Sequence, residues 1–396
     1  MGNTLKILVF SPFYPPHIGG LESHADEFNR NIARHGVDVT VFTPHLPTDA
    51  PETEIIQGNI RIIRFPAWEP IHNYPLPKYA PFFLTSKFFR IFLSLREERP
   101  DIIISRTRFF ATSLFALAYA KAQGLPLVHI EHGSDYASFN GSWKTFLGKC
   151  YDHVFGWMVL RFADRVIANS QASAKFVKKL SGRDAIVIYR GTKTQIIEQC
   201  DPNQKMVEAY QGKTIIAFIG RLIDGKGTRD LIIALARLKR TDIITFIIGG
   251  GPEETHLKKM TTKHRLENQV IFFGNLPFEK ALGVLKTADI VVNPSYTEGL
   301  PTSVTEAALC RKAIIATDVG GTREVISGSG DGFLIPPRRP ELIAEKIGYL
   351  LDHPNERERL GKNAYAEVSE KFSWDRASDH YIEILSELVE GKKKYH

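Results

Sequence analysis

Two stretches in the second half of the chain place charged side chains beside backbone suited to an anion. The first reads Gly220-Arg221-Leu222-Ile223-Asp224-Gly225-Lys226-Gly227 and follows an apolar run beginning at Thr214. Arg221 offers a planar fork and Lys226 a mobile point charge, so a glycine-bounded loop can bring both to one anion from two sides. The second reads Pro294-Ser295-Tyr296-Thr297-Glu298-Gly299-Leu300-Pro301-Thr302, with Glu306 one helical turn further on. A helix starting near Pro301 leaves the N–H groups around Gly299, Leu300 and Thr302 as unpaired donors. A carboxylate aimed at the same anion would be repelled, so Glu298 and Glu306 read as acceptors for hydroxyl groups. Taken singly, Glu306 also reads as a surface helix residue and Glu298 as a loop acid. The four charged residues together favour a site.

In the first half, Ser11 to Gly20 follows a short apolar strand and precedes a helix with Leu21, Ala25, Phe28 and Ile32 on one face, ending at Gly36. Gly19 and Gly20 therefore stand at a helix start on the carboxyl edge of a sheet, where backbone without side chains can approach a phosphate closely. The plain alternative is a loop that only turns the chain. Glu22, in the first helical turn, is a candidate acceptor contact. No GxGxxG with an acid about 20 residues later is present, which argues against a dinucleotide-dependent dehydrogenase. Gly249-Gly250-Gly251-Pro252 reads as a turn.

These loops need a scaffold, and the apolar pattern supplies one. Short Ile/Val/Phe runs alternate with helical periodicity along the chain, the mark of strands buried on both faces of a parallel sheet. Expected strands in the first half are Lys6–Phe10, Val39–Thr43, Ile60–Phe65, Asp101–Ser105, Leu127–His132, Arg165–Ser170 and Ala185–Tyr189. Those in the second half are Thr214–Gly220, Ile244–Gly249, Val270–Gly274, Ile290–Pro294, Ala313–Thr317 and Gly332–Pro336. The expected architecture is α/β, with two Rossmann-like doubly wound domains. Residues 1–195 form the first, 196–212 a polar linker, 213–373 the second, and 374–396 a closing helix with a basic tail.

With 396 residues, 43% of them apolar, the chain is long enough for two soluble cores. The formal charge of +7 is spread along the chain and favours anionic partners, while no basic motif points to nucleic acid. Cys150, Cys200 and Cys310 are isolated and form no metal or disulfide framework, which fits a reducing compartment. The N-terminal apolar run is strand-length, no run of roughly 18 apolar residues suggests a membrane span, and Lys6 stands where a myristoylation signal carries Ser or Thr.

Together, the Gly19-Gly20 loop, Glu131-His132-Gly133, Gly220-Arg221…Lys226-Gly227 and Glu298-Gly-Leu-Pro…Glu306 resemble the retaining GT-B glycosyltransferases of family 4. Val319-Gly320-Gly321…Glu324 and Phe372-Ser373-Trp374 match as well, so the resemblance spans essentially the whole chain. The glutamates separated by seven residues are its strongest single element. It implies two domains facing a central cleft, with the last helix returning to the first domain. It further implies a nucleotide-sugar donor, a UDP- or GDP-sugar, with no further cofactor and no metal. Arg221 and Lys226 would bind the donor diphosphate, Glu298 the sugar hydroxyls, and Glu306 the ribose. Gly299, Leu300, Pro301 and Thr302 would supply the backbone cradle, Leu276 would meet the base, and Gly19 and Gly20 would approach the diphosphate. His132 would border the reacting sugar, so the catalytic set is His132, Arg221, Lys226 and Glu298. The turn Tyr189-Arg190-Gly191-Thr192-Lys193 departs from the family's usual Asn-Gly-Val-Asp-like pattern and leaves a sugar contact there open.

Preorganised positive charge at Arg221, Lys226 and a helix start can stabilise a departing diphosphate without a metal. The resemblance implies retention of anomeric configuration. It leaves the acceptor as a glycolipid or polysaccharide, with a soluble sugar or sugar phosphate as the alternative; an epimerase and a non-catalytic nucleotide-sugar-binding protein also stay open. Ala80 to Leu95 is rich in Phe and Leu around a stripe of Lys87, Arg90 and Ser94. It reads either as a buried helix or as one lying on an anionic membrane surface, with Trp143 to Arg161 as a second aromatic candidate. The expected location is cytoplasmic, peripheral on the inner face of the membrane.

Overall fold

The computed structural model describes residues 4–17, 19–71, 74–78, 87–136, 142–192 and 194–393. The chain divides into two compact units, Met1–Arg190 with Trp374–His396, and Gly191–Ser373.

In the first unit the strands are β1 (Lys6–Phe10), β2 (Asp38–Pro44), β3 (Thr53–Ile56), β4 (Ile60–Phe65), a hairpin of β5 (Ala67–Ile71) and β6 (Tyr74–Pro77), β7 (Ile102–Arg106), β8 (Leu127–Glu131), β9 (Arg165–Ala168) and β10 (Ile186–Val187). Among the described residues eight of them form one sheet in the order β10-β9-β8-β7-β1-β2-β4-β3, parallel except for the β3–β4 pair. Successive side chains point to opposite faces. Ile7, Val9, Ile102 and Ile104 pack in one layer with α1 (Gly20–Arg34) and the C-terminal helix Trp374–Lys393. Leu8, Phe10 and Ile103 pack in the other, with α2 (Lys87–Ser94) and α3 (Ala111–Gln123). The two layers explain why the central strands are apolar on both faces along most of their length.

Helix α2 packs one face on the core, while Lys87, Arg90 and Leu93 stay exposed. Phe88 is 1% exposed and packs on Phe42 and Phe65, while Ile91 and Phe92 lie against the same layer. Lys87 pairs with Glu52. Phe82, Phe83 and Leu84 lie outside the described residues. A cluster of exposed aromatics lies on α4 (Ser142–Tyr151), the π-helical turn Asp152–Gly156 and α5 (Trp157–Phe162). Trp143 and Phe146 are each 65% exposed, and Leu147, Val154, Phe155, Trp157 and Phe162 are also open. The remaining helix of this unit's middle, α6 (Gln171–Ser181), is capped by Ser170, whose hydroxyl accepts from Ser173 N.

In the second unit α7 (Thr194–Gln199) and α8 (Gln204–Ala209) precede the sheet strands β11 (Thr214–Ile219), β12 (Ile243–Ile248), β13 (Val270–Gly274), β14 (Ile290–Asn293), β15 (Ala313–Thr317) and β16 (Phe333–Ile335). Their order, β13-β12-β11-β14-β15-β16, is parallel throughout and is the doubly wound arrangement 3-2-1-4-5-6. The helices are α9 (Thr228–Leu238), α10 (Glu254–Lys263), α11 (Phe278–Thr287), α12 (Thr302–Leu309), α13 (Thr322–Val325), α14 (Pro340–Asp352) and α15 (Pro354–Lys371). Ile216, Phe218, Ile247, Val292 and Ile315 form the core with Leu231, Leu235 and Ile347. Strands β11 and β14 are neighbours from which the connections run in opposite directions. Their carboxyl ends therefore frame the crevice where ligands of open α/β sheets bind.

Candidate active site

The loops at that switch point carry the charged residues. Lys226 lies in the loop from β11 to α9, and its Nζ is 2.6 Å from Glu298 Oε1 in the loop from β14 to α12. Ser295 Oγ donates to the same oxygen at 2.7 Å. Glu298 is 9% exposed, so both bonds matter for keeping its charge. The two loops are stitched by Tyr296 N donating to Gly225 O at 2.8 Å. Two glycines permit this closeness. Gly227 has φ 64° and Gly320 φ 53°, and a Cβ on either would overlap a backbone carbonyl, that of Pro294 or of Glu298.

Arg221 stands exposed on the same β11 loop, held between Gly220 N bonding Ile248 O and Leu222 N bonding Gly250 O. Among the described residues it has no carboxylate partner. At the start of α12, Pro301 is the cap residue and no side chain caps the helix. Gly299, Leu300 and Thr302 therefore present backbone at an open N-terminus, where the helix dipole favours an anion. Glu306 follows Thr302 by one turn on the same face and is half-buried. Leu276 lies beyond β13, after Gly274 at φ 65°; its neighbour Asn275 accepts from Gly250 N at 2.8 Å.

In the first unit Gly19 and Gly20 start α1, with Gly19 in extended backbone and no side-chain cap. Glu22 is 4% exposed, folded over Gly19 with its carboxylate 2.5 Å from His17 Nδ1. It is thus not presented to solvent. His132 follows β8. Its Nδ1 lies 3.2 Å from Thr107 Oγ1, and its ring meets His24 edge-on, centroids 4.6 Å apart. Burial first, then the Arg106 guanidinium, pushes the His132 imidazole down to about 3. Burial likewise pushes His24 well below its ordinary value. Arg106 Nη1 donates to His24 Nδ1 at 2.8 Å and stacks over Phe28; burial lowers its pKa to about 10.

Beneath His132, Glu131 is fully buried. Burial opposes its charge, but Arg108 at 3.0 Å and His129 hold it well below the usual carboxylate range. Glu131 Oε1 also accepts from His132 N at 2.9 Å and Gly133 N at 2.7 Å, which fixes the turn. Arg108 reaches Asp152 in the π-helical turn at 3.1 Å. Arg190, where the chain departs from the family pattern, pairs with Glu27 at 3.0 Å; Lys193 lies outside the described residues. Among the described residues no group of three or more His, Cys, Asp or Glu is arranged to hold a metal ion.

The family described as Glycosyltransferase Family 4 matches residues 18–196, and that described as Glycosyl transferases group 1 matches 201–367. An uncharacterized glycosyltransferase of Methanocaldococcus jannaschii is 34% identical over 394 residues, covering 97% of this chain and 99% of its own. The chain belongs to the group 1/family 4 glycosyltransferases. Among solved structures, this glycosyltransferase superposes on sucrose-phosphate synthase from Thermosynechococcus elongatus with a TM-score of 0.81 at 19% identity, covering 98% and 100% of the two chains. It superposes on HepE of Anabaena, solved in complex with UDP-glucose, with a TM-score of 0.75 at 22% identity, covering 96% and 99%. These likenesses place the glycosyltransferase in the GT-B fold.

Sequence reasoning singled out His132 but passed over its supports. His24 sits on the apolar face of α1, and Arg106, Thr107 and Arg108 end a strand. Arg106 at the end of β7 and Arg108 two residues on, polar residues after an apolar strand, are the signal that could have led to them.

Proposed function

We propose that this glycosyltransferase moves a sugar from a UDP- or GDP-sugar to a glycolipid or lipid-linked glycan, with retention and without a divalent metal. The observation that carries the donor reading is the Lys226–Glu298 contact beside the open start of α12, at the switch point of the second sheet. A donor diphosphate there meets Arg221, Lys226 and the α12 N–H groups. Lys226 then exchanges Glu298 for phosphate, and Glu298, still held by Ser295, accepts from a sugar hydroxyl. As the glycosidic bond breaks, negative charge grows on the diphosphate, where the fixed cations stabilise it. In the retaining course the acceptor hydroxyl attacks on the leaving-group face and gives its proton to the departing phosphate. The complex of the Anabaena relative with UDP-glucose supports a UDP-sugar.

The open aromatics of α4 and α5 support an acceptor at the inner, anionic face of a membrane. Trp143, Phe146, Phe155 and Trp157 offer interfacial anchors, and the exposed Lys149, Arg161 and Arg165 offer complementary charge. Among the described residues no helix is long and apolar enough to cross a membrane, so such a surface would lie on the bilayer.

Incubation with a panel of nucleotide sugars tests the donor reading: slow release of free nucleoside diphosphate supports it, and an isomerised donor or binding without turnover overturns it. The anomeric coupling constant of the product reads retention. Activity abolished by EDTA and restored by magnesium or manganese rejects the metal-independent course. Co-sedimentation with anionic vesicles, lost in Trp143→Ser/Phe146→Ser, supports the lipid acceptor; a native chain that stays in the supernatant at low salt rejects it.

A further inference from the structure

The first sheet has its own switch point, between β1 and β7, and the segment leaving β7 is Arg106-Thr107-Arg108. Thr107 has φ 59°. Of the non-glycine residues at positive φ among those described, it alone is β-branched. A branched Cβ is crowded against its own backbone in that region, so Gly or Asn would suit the turn better. The fold nevertheless pins it. Thr107 N donates to Ile130 O at 2.9 Å, and Thr107 O accepts from Ser113 Oγ at 3.1 Å and Phe110 N at 3.3 Å. Strain held this firmly from several sides is characteristic of functional sites.

The turn fans three consecutive side chains around one loop. Arg106 goes to His24, Arg108 goes to Glu131 and Asp152, and Thr107 Oγ1 goes to His132 Nδ1. Donor counting then settles the proton. If Nδ1 carried it, the Thr107 hydroxyl hydrogen would have no acceptor among the described residues, and Nε2 would lack a donor as well. With the hydroxyl donating to Nδ1, only Nε2–H is unspent. His132 Nε2 is indeed buried without a hydrogen-bond partner, an arrangement that a native site retains for a ligand.

We infer that Thr107 is a positioning residue: its hydroxyl, presented by a strained turn, holds His132 in one ring plane as the Nε2–H tautomer, so that the buried Nε2–H is kept for an oxygen of a ligand at this turn. This rests on the reading of His132 as bordering the reacting sugar. It also explains why Gly does not occupy this positive-φ position, since the turn needs a hydroxyl that Gly lacks.

The test uses the full chain labelled with 15N-histidine, the His132 signals being assigned by their loss in His132→Gln. The native ring shows the Nε2–H pattern, as does Thr107→Ser. In Thr107→Val, which keeps the shape and the branch, it moves toward a tautomer mixture. Turnover with the donor found by the panel falls about tenfold in Thr107→Val, mostly in kcat rather than donor KM, and recovers in Thr107→Ser. Thr107→Gly relieves the turn but removes the hydroxyl from His132, so its ring signals shift as in Thr107→Val and its turnover falls. Unchanged His132 signals in Thr107→Val overturn the inference, as does a Thr107→Ser enzyme as slow as Thr107→Val. A chain inactive on every donor rejects the transferase reading, whereas the ring signals decide the Thr107–His132 contact by themselves.

Discussion

Lys226 and Glu298 are 72 positions apart in sequence and 2.6 Å apart in space. On the function proposed above, the cation for the phosphate is stored against the carboxylate for a sugar hydroxyl, and a donor carrying both groups would separate them.

Replacing either cation of the β11 loop by Ala is expected to lower turnover far more than donor affinity. Losing charge stabilisation of this kind costs roughly 3 kcal/mol, on the order of a hundredfold or more in rate. Steady-state kinetics of Arg221→Ala and Lys226→Ala check this, and near-native turnover in Arg221→Ala removes that residue from the site.

Glu306→Gln keeps the size of the side chain and removes its charge. If Glu306 holds the ribose, affinity for the free nucleoside diphosphate drops in calorimetric titration, by about tenfold for a charge-assisted bond made neutral. Normal diphosphate binding with lost sugar discrimination would move Glu306 to the sugar.

Arg108 is shared by two buried carboxylates, Glu131 and Asp152, both 0% exposed. Arg108→Met leaves them without their shared cation and is expected to destabilise the first unit by about 3–5 kcal/mol. Urea unfolding followed by Trp fluorescence measures it. A midpoint within error of the native one would mean that the carboxylates find compensation elsewhere.

His24 and His132 are neutral in the fold, with pKa values below those of the unfolded chain, where a histidine titrates near 6.5. As pH falls below 6.5 the unfolded state takes up protons that the folded state refuses, so stability declines toward about 3. The slope is at most roughly 1.4 kcal/mol per pH unit for each histidine. Between pH 7.5 and 5.5, before the carboxylates titrate, the native chain should lose stability and His24→Gln should lose less. An identical loss in both would show that His24 does not contribute.

The parallel strands were legible because they are runs rich in Ile, Val and Phe, such as Ile243–Ile248, broken only by Thr245. Strand β3 was not, since it is an antiparallel edge with Ile55 facing solvent, and the β5–β6 hairpin hides behind Pro70, Pro75 and Pro77. Arg221, Lys226, Glu298 and Glu306 were legible from loop context, but the Lys226–Glu298 contact depends on which strands become neighbours. The Phe-rich stretch before Leu95 shows a different limit. Composition reads alike for a helix packed under a sheet and one resting on lipid, and only the packing of Phe88 and Phe92 distinguishes them. Thr107 was invisible for a third reason, because nothing in a threonine's identity announces a positive φ.

The C-terminal helix Trp374–Lys393 completes the first unit, with Trp374, Tyr381 and Leu385 in the layer that holds Phe28 and Ile32 of α1. Chain order therefore differs from assembly order. During synthesis the whole of Gly191–Ser373 emerges before the first unit receives its last helix, and until then the apolar flank of α1 is uncovered. A ribosome-bound chain stopped before Trp374 should accordingly be a chaperone client, its second unit already folded while its first still waits.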